Sequence, residues 1–108
     1  MAGYKKEKIA TILTSVVAEY LNYHGNGSSL ITVTGIDLSD DLKRATILIS
    51  VLPDDKQAEA LNFAKRQRGD IREYLKEKTR IGILPFIDIE IDLGEKHRQK
   101  IDELLKKS

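Results

Sequence analysis

Four cationic residues stand at helical spacing in the second half of the chain: Lys65, Arg68, Arg72 and Lys76, at i, i+3, i+7 and i+11. On a helix those offsets fall along one side, and a row of guanidinium and ammonium groups suits phosphate. The planar fork of Arg can donate two hydrogen bonds to one phosphate, and Lys adds a point charge. Arg66 and Arg80 flank the row, and Lys5 and Lys6 form a supporting basic cluster near the start. Gly69 lies inside the row; a helix starting behind it offers free backbone N–H groups to an anion, although Asp70 opposes this. Affinity of this kind falls with salt. The same charges can equally make a solvated helix face, because Asp70, Glu73 and Glu77 have basic neighbours within one turn. Charge alone leaves these two readings level.

Other chemistries are poorly served. There is no Cys, which excludes disulfides, thiolate zinc sites and a Cys nucleophile. His24 and His97 lack ligand-spaced partners, so no metal is expected. Ser28, Ser29 and Ser39 lie in no nucleophile motif. Asp41 and Asp92 read as turn and strand-end residues rather than catalytic carboxylates. No catalytic residue, enzymatic activity or cofactor is expected. Tyr20, Tyr23, Tyr74 and Phe63 read as core or rim residues; a stacking role for Phe63 or Phe86 stays open, without the surrounding aromatics of a stacking sheet surface to support it.

The whole chain has 18 Lys and Arg against 17 Asp and Glu, a net charge of +1. That balance argues against indiscriminate polyanion binding, but it is segmented. Residues 65–80 hold seven basic and three acidic residues, a net +4, and residues 1–8 and 95–108 each carry +2. Residues 37–64 and 81–94 each carry −3. Asp88, Glu90 and Asp92 alternate along a strand, so an acidic open sheet face is expected to point away from RNA, or toward a basic protein.

With 108 residues, 41% of them hydrophobic and 32% charged, the chain reads as one cytoplasmic domain over 1–108, without a membrane span or a signal peptide. The elements that must carry the basic row follow from periodicity. Ile9, Ile12, Leu13, Val16, Val17, Tyr20 and Leu21 make one face of a helix over about 5–23, ended by the glycines of 25–27. Residues 30–38 read as a strand whose buried parity changes at Gly35, which suggests a bulge. Ala45, Ile47, Ile49 and Val51 alternate in a second strand, joined to the first as an antiparallel hairpin. Asp54 with Gln57, and Asp70 with Glu73, form possible capping boxes, with Ala58, Leu61 and Ala64 as the first helix's buried stripe. The break between the two helices is expected at Gly69. Ile87, Ile89 and Ile91 mark a third strand after Pro85. Ile101, Leu104 and Leu105 suggest a terminal helix over about 95–106, beyond a core of about 5–93.

The order α-β-β-α-kink-α-β, with a three-stranded sheet covered by helices on one face, is an α+β arrangement of type II KH-like order. The chain also resembles the ribosome-binding factor A family. The resemblance is carried by residues 31–36 and 38–45, from Ile31 to Ala45, by Gly69-Asp70-Ile71-Arg72 with Leu75, by Arg80, Pro85 and Asp92, and by Lys100-Ile101 with Leu104-Leu105. The backbone-clamping Gly-x-x-Gly of common KH domains is absent. Where the family has an Ala-x-Gly kink, this chain has Gln67-Arg68-Gly69. The resemblance implies a monomeric, non-enzymatic assembly factor that binds the 30S ribosomal subunit and its 16S ribosomal RNA during late maturation and rRNA processing, with a role in the cold. Its expected RNA contacts are Lys65, Arg66, Arg68, Gly69, Arg72, Lys76 and Arg80, with Lys5 and Lys6. The alternative is a KH-like protein-interaction module that does not touch RNA.

Overall fold

Alternating and helical apolar patterns settle into six main elements in a computed structural model, which describes residues 2–25 and 27–94, with side chains from Lys5 onward. Helix α1 spans Ala2–His24, strands β1 and β2 span Leu30–Leu38 and Arg44–Leu52, and a 3-10 turn at Asp54–Lys56 leads into α2, Gln57–Arg66. Helix α3, Arg68–Lys78, and strand β3, Phe86–Ile91, complete the order. The terminal helix expected over 95–106 lies outside the described residues.

The sheet order is β1-β2-β3. β1 and β2 are antiparallel, and the register shifts between Val33 and Gly35, as the change of parity in the sequence requires. The extra residue keeps Ile31 and Leu38 on the same buried side as Ile47, Ile49 and Val51. β3 runs parallel to β2, with Ile87 opposite Ala45 and Ile89 opposite Ile47. A parallel neighbour needs a crossover of a dozen or more residues, and α2 and α3 provide it.

The core lies between this face of the sheet and the helices. Leu13 and Val17 of α1, Ala60 and Ala64 of α2, and Ile71 and Leu75 of α3 close over Ile47, Ile49 and Ile89. The stripe of α2 is Ala60 and Ala64 with Leu61 half-buried; Ala58 is exposed, contrary to the periodic reading. Two Ala residues one turn apart let α2 lie close to β2 and β3. Tyr20 is buried and Tyr74 and Phe63 half-buried, but Tyr23 stands in solvent.

Neither capping box forms. Pro53 precedes the 3-10 turn and Lys56 precedes α2, each without a side-chain cap. The interruption falls at Gln67, not at Gly69. Gln67 has φ −87° and ψ 1°, and α3 begins directly behind it, again without a side-chain cap. A tertiary contact holds its side chain there: the Tyr20 hydroxyl donates to Gln67 Oε1 at 2.7 Å. The Gln that replaces the family's Ala thus ties the break to α1.

Candidate nucleic-acid interface

The break between α2 and α3 faces the start of β3 across an open cleft of about 650 Å³. Lys65, Arg66, Arg68, Gly69 and Arg72 line one side, and Leu84, Phe86 and Ile87 the other. Five of the nine predicted contacts therefore converge. Lys76 lies one turn beyond and pairs with Glu73 at 3.2 Å. Arg80 is exposed in the segment before β3. Lys6 pairs with Asp40 at 2.7 Å beside the β1–β2 turn, holding the Asp40 carboxyl below its ordinary range, and Lys5 is exposed on α1. These four do not line the cleft.

The basic row is braced by its surroundings. Lys65 Nζ reaches Asp88 Oδ1 and Glu90 Oε1, both at 2.9 Å, and Arg68 Nη1 reaches the same Asp88 oxygen at 3.2 Å. Arg68 Nε also donates to the Lys65 carbonyl at 3.0 Å. Arg72 Nη1 donates to the Pro85 carbonyl at 2.9 Å, joining α3 to the entry of β3. No ion pair engages Arg66 or Arg80 among the described residues.

This corrects the expected separation of a basic face from an acidic one. β3 is an edge strand next to α2, so Asp88 and Glu90 meet Lys65 and Arg68. Asp92 does close the strand: its N–H donates to the Ile49 carbonyl, and its carboxylate accepts from the Gly94 N–H and the Thr34 hydroxyl. Burial pushes the Asp88 carboxyl up, but the hydrogen bonds from Lys65 and the Ile89 N–H, with the charges of Lys65 and Arg68, hold it below its ordinary value. Lys65 is correspondingly raised, through Glu90 first and Asp88 second. A carboxyl whose folded pKa is lowered contributes stability above its unfolded value, here 3.8, that is lost as pH falls through the folded value.

Asp88→Asn isolates the effect of this brace. The amide keeps an oxygen for its neighbours but loses the charge. The side chains are partly solvated, so the expected loss of stability is about 1 kcal/mol. Arg68 then loses its carboxylate partner and Lys65 keeps only Glu90, so both meet outside anions more readily, and the variant should leave a heparin column at higher salt than the parent. Elution at equal or lower salt would show that Asp88 does not restrain them.

Gly69 is an ordinary helical position. A Cβ built there meets nothing within 4 Å, and its φ is not in the left-handed region. The helix break expected at Gly69 is therefore not there; the helix runs through it from Arg68. Gly69→Ala is expected to stabilise the fold by up to about 1 kcal/mol, because Ala loses less backbone entropy in a helix. Thermal unfolding should move up by a few degrees; a lower melting temperature would contradict this.

Sequence reasoning missed a second cleft. Lys43, Arg44, Ala45, Thr46, Phe86 and Asp88 line a hollow of about 420 Å³ that shares Phe86 and the β3 edge with the first. Its cations follow a tightly hydrogen-bonded turn. Ser39 Oγ donates to Asp41 Oδ1 and accepts from the Arg44 N–H, while Asp41 Oδ1 also accepts from the Lys43 N–H. Those bonds, Ser39 first, hold the Asp41 carboxyl below its ordinary range and confirm it as a turn residue. The pair Lys43-Arg44 was a visible signal, but the net acidity of residues 37–64 hid it.

His24 stacks on Tyr20 with ring centroids 4.2 Å apart. No group of three or more potential metal ligands occurs among the described residues. No helix among them is long and apolar enough to cross a membrane.

Comparison with known proteins places this geometry in a family. The ribosome-binding factor A of Natranaerobius thermophilus is 31% identical over 109 residues, covering 98% of this chain and 83% of its own length. The crystal structure of ribosome-binding factor A from Thermus thermophilus superposes with a TM-score of 0.72 at 20% identity, over 80% of this chain and 93% of that one. A Thermus thermophilus ribosome binding factor A homology model, fitted into the cryo-EM map of a 30S complex, gives 0.68 at 19% identity, over 79% and 92% of the two chains. At these identities the two structures speak to the fold. The sequence profile of the family Ribosome-binding factor A matches residues 5–105, nearly the whole chain, and the chain therefore belongs to the ribosome-binding factor A family.

Proposed function

We propose that the chain binds the immature 30S subunit through its 16S ribosomal RNA, assists late maturation without turning over a substrate, and then leaves. The observation that carries this reading is the convergence of Lys65, Arg66, Arg68 and Arg72 on one open cleft at the α2–α3 break. Family membership supports it, as does the 30S complex of the Thermus thermophilus relative. Phosphates would enter beside Arg66, with Arg68 and Arg72 held at defined angles by the Lys65 and Pro85 carbonyls. Preset guanidinium groups lose less freedom on binding than free ones. Lys76, Arg80, Lys5 and Lys6 lie off the cleft and would serve as long-range support.

A bound protein shifts an RNA equilibrium only by its differential affinity for the two conformations. The proposed action is to hold the productive rRNA conformation, which matters most in the cold, where misfolded helices persist. The site of action is the cytoplasm and the acting species a monomer. Co-sedimentation with purified immature and mature 30S subunits across a salt series tests the reading. Binding should fall steeply with salt. Salt-independent binding would favour an apolar protein contact, and failure to bind either subunit would overturn the proposal.

A further inference from the structure

Phe86 has no part in the phosphate contacts just described, yet its side chain is 61% exposed at the point where the two clefts meet. Of the large apolar side chains that stand exposed among the described residues, only Phe86 lines either cleft. It is also firmly placed. Its N–H donates to the Lys43 carbonyl at 2.8 Å, it pairs with Arg44 across the sheet, and the preceding carbonyl holds Arg72. The ring is therefore presented to solvent by a strand end fixed from both sides.

Cations flank it in both directions. Lys43 and Arg44 lie in the second cleft, and Arg66, Arg68 and Arg72 in the first. In a nucleic-acid strand one phosphate precedes and one follows every base. An aromatic ring between two basic hollows matches that order: phosphate, base, phosphate. The carboxylate among the residues that line the two clefts, Asp88, is already engaged by Lys65 and Arg68. A base inside a duplex has its faces covered by its neighbours, so stacking on a side chain selects an unpaired base. Every base offers a π-face, so such a platform tolerates sequence.

We propose that Phe86 is a stacking platform for one unpaired nucleobase of a single-stranded RNA, whose flanking phosphates lie against Lys43 and Arg44 on one side and Arg66 and Arg72 on the other. The inference rests on the RNA-binding reading above and adds the class of RNA, a single-stranded segment, and three residues: Lys43, Arg44 and Phe86.

The test is fluorescence anisotropy of the full chain with a labelled single-stranded oligoribonucleotide, and with the same strand made abasic at its central positions. The parent should prefer the intact strand about tenfold or more, the range that loss of one stacked base covers. Phe86→Leu should lose that preference with an unchanged melting temperature, since the ring is exposed, and Phe86→Tyr should keep it. If Phe86→Leu behaves like the parent while reversal of Arg68 and Arg72 abolishes binding, the platform is wrong and the RNA cleft stands. If the parent binds 30S subunits in a salt-dependent way but does not distinguish intact from abasic strands, or binds neither, the platform is again overturned alone. If neither the oligoribonucleotide nor the subunit binds, both readings fall.

Discussion

Reversing two charges, Arg68→Glu with Arg72→Glu, should cost at least tenfold in affinity for 30S subunits at moderate salt. It should also flatten the dependence of log affinity on log salt by one to two, because every phosphate that the protein no longer neutralises takes roughly 0.7–0.9 from the slope. The slope is the discriminating quantity. Binding through neutral groups would weaken without changing it. The double variant will not be structurally silent, because these side chains are not free ridge positions. Arg68 helps neutralise Asp88, and a Glu there would face that carboxylate; Arg72 holds the Pro85 carbonyl. Breaking either interaction is expected to cost about 1 kcal/mol, so melting temperature must be measured beside binding. Charge-neutral Arg68→Gln with Arg72→Gln separates the two effects, since it should lose affinity and slope with less destabilisation. Unchanged affinity and slope in both variants would show that this cleft does not meet the RNA.

The largest effect on stability is expected at Ile71, which lies between those arginines but points inward and is 0% exposed. Ile71→Ala removes buried methylene groups and leaves a cavity where α3 meets α1 and the sheet. Such changes cost about 2–5 kcal/mol, a large share of the roughly 5–15 kcal/mol that holds a domain together. For a domain of this size the melting temperature should drop by about 10 °C or more. A drop of only a degree or two would mean that α3 is not packed as described. The contrast with Gly69→Ala, two residues away and expected to stabilise, makes the pair a direct check on the orientation of α3.

The strands were legible because period-two patterning is local: β1 begins and ends where alternation does, and the phase change at Gly35 marks the bulge. The helix break was legible in kind but not in place. Gly69 carries the stronger local signal, but the break falls at Gln67, whose side chain is held by a Tyr20 hydroxyl 47 residues away. The capping boxes failed for a related reason. A 3-10 turn leads into α2, and α3 follows α2 after a single residue, so neither start is a free helix end needing a side-chain cap. The convergence of Lys65, Arg66, Arg68 and Arg72 could be anticipated from spacing. Their partners could not, because Asp88 and Glu90 are more than 20 residues from Lys65 and meet it only once β3 lies beside α2. The parallel direction of β3, likewise, is not written in its alternation.

The brace at Asp88 bears on how molecules of this chain behave toward one another. The N–H groups of Phe86, at the start of β3, and of Asp92, just beyond its end, donate to the Lys43 and Ile49 carbonyls, so the alternate N–H groups between them, that of Ile89 among them, point to the unpaired side of the sheet. An open edge of this kind invites a strand from a second molecule, the first step of aggregation. The Asp88 carboxylate already accepts the Ile89 N–H at 2.8 Å, and it brings the Lys65 and Arg68 cations to the same edge. An incoming strand would have to displace that carboxylate and bury two charges. Asp88→Asn leaves an oxygen for the Ile89 N–H, whereas Asp88→Ala leaves the donor exposed to a neighbour.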